Sequence, residues 1–187
     1  MSSDRDLRAF RAAAHGGPIT DLVVDYGSTL TSRSDPVDRR LGMRPVTAAA
    51  AATLRAAAAT GVRISLLSNT SPGQDRRRAL HTAGLADLFG DRVFQSRELG
   101  IGKPDAAIYE HVLSILDVGR DQVLCCGNNL ANDVYPAVLL GIRAVLLATG
   151  PPSGLPARVT VITDITGLVR LLTGTSPTHT VTTGETR

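Results

Sequence analysis

Tryptophan is missing from this 187-residue chain, and tyrosine and phenylalanine contribute three residues each, which excludes a core built on aromatic stacking. With alanine abundant, the core is expected to be aliphatic. Cysteine occurs only twice, as the neighbours Cys125 and Cys126 inside an apolar run. Neighbours on a strand point to opposite faces, so a disulfide between them is not expected, and buried thiols in a reducing compartment are. No apolar run reaches membrane-spanning length, and "MSSDRDLRAF" lacks the apolar segment of a signal peptide. A cytoplasmic protein with no membrane partner is the expectation. Charge is also undirected. The net charge is +3 with a sequence pI near 9.3, but the arginines are scattered and no basic stripe is interleaved with aromatics, which argues against nucleic-acid binding. The densest run, "DRRR" at 75–78, reads as the solvated face of a helix.

The length suits one domain with a sizeable core. Residues 4–14 can form a short helix that "HGGP" breaks, so 1–16 are expected to be a helical extension. "ITDLVVDY" is a first strand, followed by a polar, turn-rich connection. "VTAAAAATLRAAAATG" is a strong helix ended by glycine. "VRISLLSN" is a second strand. "SPGQDRRRALHTAG" is expected to start a helix with Ser71 as N-cap and Pro72 in its first position. "DRVFQS", "QVLCCGN", "RAVLLAT" and the start of "VTVITDITGLVRLL" supply further strands, with helices between them. The segment 173–187 has little to bury and is expected to be disordered.

Strands alternating with helices at this spacing predict a single Rossmann-like, doubly wound parallel sheet over 17–172, with helices on both faces. Ligands of such sheets bind beyond the carboxyl ends of the strands. Reactive residues do collect there: Asp25 after the first strand, Ser68 and Asn69 after the second, and Gly127, Asn128 and Asn129 after a later one. Lys103 and Asp133 stand where the following helices open. Lys103 is the only lysine; every other one of the 20 basic side chains is arginine. Where arginine is the default cation, a single lysine points to a site that requires a compact ammonium rather than a planar fork. The plainer alternatives are a chance surface lysine, a helix-capping turn at Ser68 and Asn69, and helix N-terminal stabilisation by Asp133.

In order and spacing, "DYGSTL", "LLSNTS", "GIGKPDAAIYEHVL" and "GNNLANDVYPAVLLGIRAVLL" resemble the four motifs of the haloacid dehalogenase (HAD) superfamily. The resemblance implies a phosphatase in which Asp25 is the nucleophile and forms an aspartyl-phosphate that water hydrolyses. It implies that Thr29 orients the loop after the first strand. Ser68 and the Asn69 amide would bind phosphoryl oxygens, and Lys103 would neutralise Asp25 and the transferring group. It also implies Mg²⁺, with Asp25, the Gly27 carbonyl, Asn128 and Asp133 as the metal set; Asp133 would serve the ion or hold Lys103. The implied partner is a phosphorylated small molecule.

Two positions depart from that pattern. Gly27 stands where the family's phosphatases usually carry a second aspartate, the group that protonates the leaving group. Tyr26 faces the other side of the strand, and Asp35, Asp38 and His15 are the candidates to supply a proton from a neighbouring loop. General acid assistance is typically worth about 10²–10⁴ in rate, so alkyl phosphates should turn over poorly, and acyl phosphates, anhydrides and aryl phosphates less so. Asn128 replaces an acidic metal ligand with a neutral amide, which weakens the Mg²⁺ site without abolishing it. The connection between Leu30 and the alanine-rich helix is too short for a substantial cap domain. Specificity must then come from this flap, from a bulky substrate, or from a homo-oligomer that closes the uncapped site. The competing readings are dehalogenase-like chemistry at Asp25, which needs neither general acid nor metal, and a non-catalytic binding protein on the same fold.

Overall fold

A computed structural model describes residues 17–156 and 158–174. The helical extension expected at 1–16 lies outside the described residues, as does the tail from 175 onward; Thr173, expected to open that tail, instead closes the last helix, with Gly174 as its C-cap. Six strands form one parallel sheet: β1 (Asp21–Val24), β2 (Arg63–Ser68), β3 (Val93–Gln95), β4 (Val123–Gly127), β5 (Arg143–Leu147) and β6 (Val159–Ile162). Their spatial order is β3-β2-β1-β4-β5-β6. The chain thus builds outward from β1 to β3, then returns to lay β4 against the other side of β1. In register, Val24 lies beside Leu66 on one side and Cys126 on the other. This reversal opens a crevice beyond the ends of β1 and β4, where open α/β sheets bind ligands.

The strands are buried on both faces, and their side chains sort by parity. Leu22, Val24, Ile64, Leu66, Leu124 and Cys126 face one apolar layer. That layer is covered by α1 (Ala48–Ala58), α2 (Arg76–Thr82), α3 (Ala86–Phe89) and α7 (Gly167–Thr173). Val23, Leu67, Cys125, Ala144 and Leu146 face the other, covered by α5 (Ala106–Leu116) and α6 (Tyr135–Leu139). A single turn, α4 (Ser96–Leu99), follows β3. The adjacent cysteines lie on opposite layers as free, buried thiols. Alanine suits α1 because its small side chains let the helix lie close on the sheet: Ala50, Ala51, Leu54 and Ala57 are buried, and Thr47 caps its start.

Two helix starts differ from expectation. The helix expected from Ser71 begins at Arg76, with Asp75 as the N-cap accepting from the Arg77 amide. Residues 71–74 form a turn instead, with the Gln74 amide bonded to the Ser71 carbonyl. Pro72 fixes the first central residue, and Gly73, at φ +77°, supplies the left-handed second one that such a turn requires. The later start also rotates the arginine run: Arg77 and Arg78 are exposed, but Arg76 is buried at 7% exposure, so "DRRR" is not a uniformly solvated face. The helix expected over "ANDVYPAVLLG" opens as a π-helical turn at Leu130–Val134 before α6.

Between β1 and α1 the chain makes a short flap in place of a cap domain. It holds one antiparallel bridge, Asp38 to Met43, and pins itself to the core through Leu41 and Met43. Among the described residues, no helix is long and apolar enough to cross a membrane.

Candidate active site

Lys103 reaches the crevice from the loop before α5. Its Nζ donates to Asp25 Oδ1 at 2.7 Å and to Asp133 Oδ1 at 2.6 Å. The ammonium side chain is 4% exposed, Asp133 6% and Asp25 12%, so the cluster is nearly enclosed, with Asp25 its most open member. Burial alone would discharge Lys103, but the two carboxylates and their hydrogen bonds outweigh it and hold its pKa above the ordinary lysine value. Burial also dominates at Asp133 and raises its pKa, against the Lys103 charge that lowers it.

The backbone builds this cluster from three strand ends. Asp25 directly follows β1, and its amide is tied to the Cys126 carbonyl of β4 at 2.8 Å. Asp133 turns back from the π-helical turn and is gripped at both ends. Its Oδ2 accepts from the Asn129 amide at 2.9 Å, while its own amide donates to the Asn129 carbonyl at 2.8 Å. Gly127 makes that return possible, since a Cβ there would fall 2.3 Å from Asp133 Cγ. Asn69, at the end of β2, clamps the peptide of Lys103: its Nδ2 donates to the Lys103 carbonyl at 2.7 Å and its Oδ1 accepts from the Lys103 amide at 2.9 Å. The sequence motif implies a role only for the main-chain amide of Asn69; the side-chain clamp is visible only in the fold.

The second oxygen of Asp25 faces Thr29 and Asn128. Thr29 Oγ1 lies 3.3 Å from Asp25 Oδ2 and 3.5 Å from Asn128 Oδ1, one hydroxyl proton shared between two acceptors. Ser68 is almost fully buried; its hydroxyl donates to the Asn69 carbonyl at 3.2 Å and accepts from Arg76 Nε at 3.1 Å. Gly27 is exposed, and a Cβ built on it meets nothing within 4 Å. Of the nearby acids, Asp38 spends a carboxylate oxygen capping its own turn through the Arg40 and Leu41 amides. His15 lies outside the described residues.

Arg76 is the neighbour that the sequence concealed. Its guanidinium lies over the Tyr26 ring with Cζ 4.3 Å from the centroid, and it contacts Ser68 at the edge of the cluster. The signal was available in the Pro72–Gly73 turn and in Asp75 as a helix cap, which together make Arg76 the first helical residue, turned toward the end of β2.

A family model for haloacid dehalogenase-like hydrolases matches residues 9–141. The chain belongs to that family. Among curated proteins it is 37% identical over 106 residues to a phosphoserine phosphatase of Thermus thermophilus, a match covering 57% of this chain and 42% of the relative. The chain thus spans about two fifths of that relative's length. A solved protein from Listeria monocytogenes serotype 4b superposes with a TM-score of 0.70 at 24% identity, covering 83% of this chain and 97% of that one. The L-2-haloacid dehalogenase of Xanthobacter autotrophicus, solved with chloropropionic acid covalently bound, gives 0.66 at 17% identity, covering 84% and 100%. These two likenesses concern the fold alone. As a HAD hydrolase, the chain carries its buried lysine–aspartate cluster at the switch point of the sheet.

Proposed function

We propose that this HAD hydrolase is a Mg²⁺-dependent phosphatase of phosphorylated small molecules that works through an aspartyl-phosphate on Asp25. The observation that carries the reading is the Lys103 ammonium lying between Asp25 and Asp133. The lysine neutralises the charge that would repel an incoming phosphate dianion, and the two Asp25 oxygens divide the work, one attacking phosphorus and Oδ2 facing the cation. Asp133 keeps the ammonium aligned, since both of its oxygens are committed within the protein. Ser68 and the Asn69 amide are the phosphoryl-oxygen donors in this reading, with Arg76 fixing the Ser68 hydroxyl.

The donors that remain fit a hard cation. Asp25 Oδ2 and Asn128 Oδ1 converge on Thr29, and the Gly27 carbonyl is the third oxygen of the set. Among the described residues, no group of three or more acidic, histidine or cysteine side chains forms a metal cage. That suits Mg²⁺ held by one carboxylate, neutral oxygens, water and the substrate's own phosphate. The chemistry the ion supplies when bound is neutralisation of charge on the phosphoryl oxygens. The free buried thiols fit a reducing, cytoplasmic setting.

The test is phosphate release from a panel of phosphorylated compounds with Mg²⁺. The wild type is expected to turn over at least one, and Asp25→Asn to fall to background. Equal rates for the two proteins would overturn the assignment. A second reading, displacement of halide by Asp25, is favoured by the neutral Asn128 and by the open position at Gly27. Chelator-insensitive halide release from a 2-haloacid, lost in Asp25→Asn, is its signature.

A further inference from the structure

Arg76 is a buried cation with no carboxylate bonded to it: among the described residues it takes part in no ion pair. The three groups bonded to its guanidinium are all neutral. Nε goes to Ser68 Oγ at 3.1 Å, Nη2 to the Asn69 carbonyl at 3.2 Å, and Nη1 to Met43 Sδ at 2.9 Å. A thioether is a weak acceptor, so the Nη1 donor is poorly satisfied as it stands. A buried charge so partnered carries a large desolvation cost, which an anion arriving beside it would offset.

The place for that anion is a cavity of about 180 Å³ over Gly27, lined by Tyr26, Gly27, Thr31, Met43, Arg44 and Arg76 among others. It adjoins the loop that leaves Asp25, on the side where the family's phosphatases present their proton donor. Among the described residues, no carboxyl or imidazole group lines it. Tyr26 does line it, but burial pushes its pKa up to about 12, and its hydroxyl already donates to the Arg44 carbonyl at 2.7 Å. Among its described lining residues the cavity offers cations and no proton donor suited to neutral pH.

We propose that this cavity receives the leaving group as an unprotonated oxyanion at Arg76, so that the substrates are phosphoric anhydrides, acyl phosphates above all, rather than alkyl phosphoesters. The proposal rests on the phosphatase reading and names the substrate class of the same site. An Asp25 oxygen forms the bond to phosphorus. The bond from phosphorus to the carboxylate oxygen breaks, and its electron pair leaves with that oxygen as RCOO⁻, taking up no proton. Water then attacks phosphorus, the aspartyl bond breaks back to the Asp25 carboxylate, and phosphate departs as H₂PO₄⁻ with both water protons. The guanidinium replaces protonation by electrostatic stabilisation of the developing charge.

The experiment is a leaving-group series: acetyl phosphate, p-nitrophenyl phosphate, phenyl phosphate and O-phospho-L-serine, each corrected with the Asp25→Asn rate. In the wild type, kcat/KM should fall steeply with leaving-group pKa, by about 10² or more from acetyl phosphate to phosphoserine. Gly27→Asp, for which the structure has open space, should flatten that dependence by raising the phosphoserine rate. Arg76→Lys keeps a charge but loses the fork. It should lower the acetyl phosphate rate about 10-fold and steepen the dependence, with circular dichroism checking the fold. A flat series in the wild type, or an unchanged slope in a folded Arg76→Lys, would overturn the proposal and leave the phosphatase standing. If nothing in the series is turned over and beryllium fluoride forms no Asp25-dependent adduct, both readings fall together.

Discussion

Strand β1 carries an aspartate at each end, and each is paired with a cation, yet only one end makes a reactive centre. At the amino end, Asp21 is fully buried and bonds Arg63 at 2.8 Å, with the Thr20 hydroxyl on the same oxygen at 2.7 Å. Among the described residues its other oxygen has no hydrogen-bond partner, and the Arg63 side chain is 47% exposed. At the carboxyl end the exposures are reversed: the cation is enclosed and the carboxylate stands at the mouth. An ion pair on its own therefore says little. An aspartate sealed behind a solvated guanidinium has nowhere to receive an electrophile, while one held by a buried ammonium that a second carboxylate also grips stands at the mouth of the crevice.

Removing each cation in turn breaks the comparison most sharply. Lys103→Met leaves two nearly enclosed carboxylates without a counter-charge, a change typically costing about 3–5 kcal/mol, less whatever protonation relieves. Activity should fall by about 10²–10³, because the transferring group loses its closest fixed cation. Arg63→Met leaves the buried Asp21 carboxylate with the Thr20 hydroxyl but no counter-charge, and gives up a cation already screened by water, so a stability loss of about 1–3 kcal/mol is expected, with turnover unchanged. Urea melts and phosphate release on both variants check this. Equal activity losses would mean that the two ends are not functionally distinct.

The part of this asymmetry that the sequence reveals is the part written in local pattern. Alternating apolar runs and turn residues place the strands, and the single lysine marks the buried cation before any coordinates. The exchange of hydrogen bonds across the crevice is not local. The clamp from Asn69 onto Lys103 joins residues 34 apart in sequence. Arg76 is likewise hidden, because Ser71–Pro72 has the pattern of a helix start and in the fold makes a turn, which shifts the first helical residue to Arg76 and buries it. The two carboxylate oxygens of Asp133 illustrate the same limit: the motif names the residue, and only the fold discloses that Lys103 and the Asn129 amide occupy both.

A smaller contrast sharpens the first. Asn69→Ala removes both bonds that hold the Lys103 peptide, at about 1–2 kcal/mol of stability. Turnover should fall about 10-fold with it, since the ammonium is delivered from that peptide and misplacement of a charged group at a reacting centre is costly. Thr20→Val deletes the hydroxyl bond to Asp21 at the other end and should cost about 1 kcal/mol with no change in kcat. Similar melting shifts with dissimilar kcat values would separate bonds that merely support β1 from bonds that aim its chemistry. Equal kcat for Asn69→Ala and wild type would make the clamp purely structural.

The gentlest probe is alkaline pH, because lysine and arginine differ in what they can release. The folded pKa of Lys103 is raised, burial opposing and the two carboxylates prevailing, so the folded protein keeps this proton to higher pH than the unfolded chain. An unfolded lysine titrates near about 10.4. Above that, the native state binds more protons than the unfolded one, and stability falls as pH climbs through the folded pKa; below it, the contribution is intact. The buried thiols and the buried Tyr26 and Tyr109 are likewise raised by burial and add losses of the same sign, beginning lower for the thiols. Comparison with Lys103→Arg cancels those shared losses, since the guanidinium keeps its proton throughout. Because the chain has one lysine, the remaining difference in slope above about pH 10.4 belongs to position 103 alone. The wild type should lose melting temperature faster than the arginine variant there, and parallel curves would mean that the ammonium is not held by its carboxylates in solution. Arg63, at the other end of β1, adds no such slope, because arginine does not release its proton in this range.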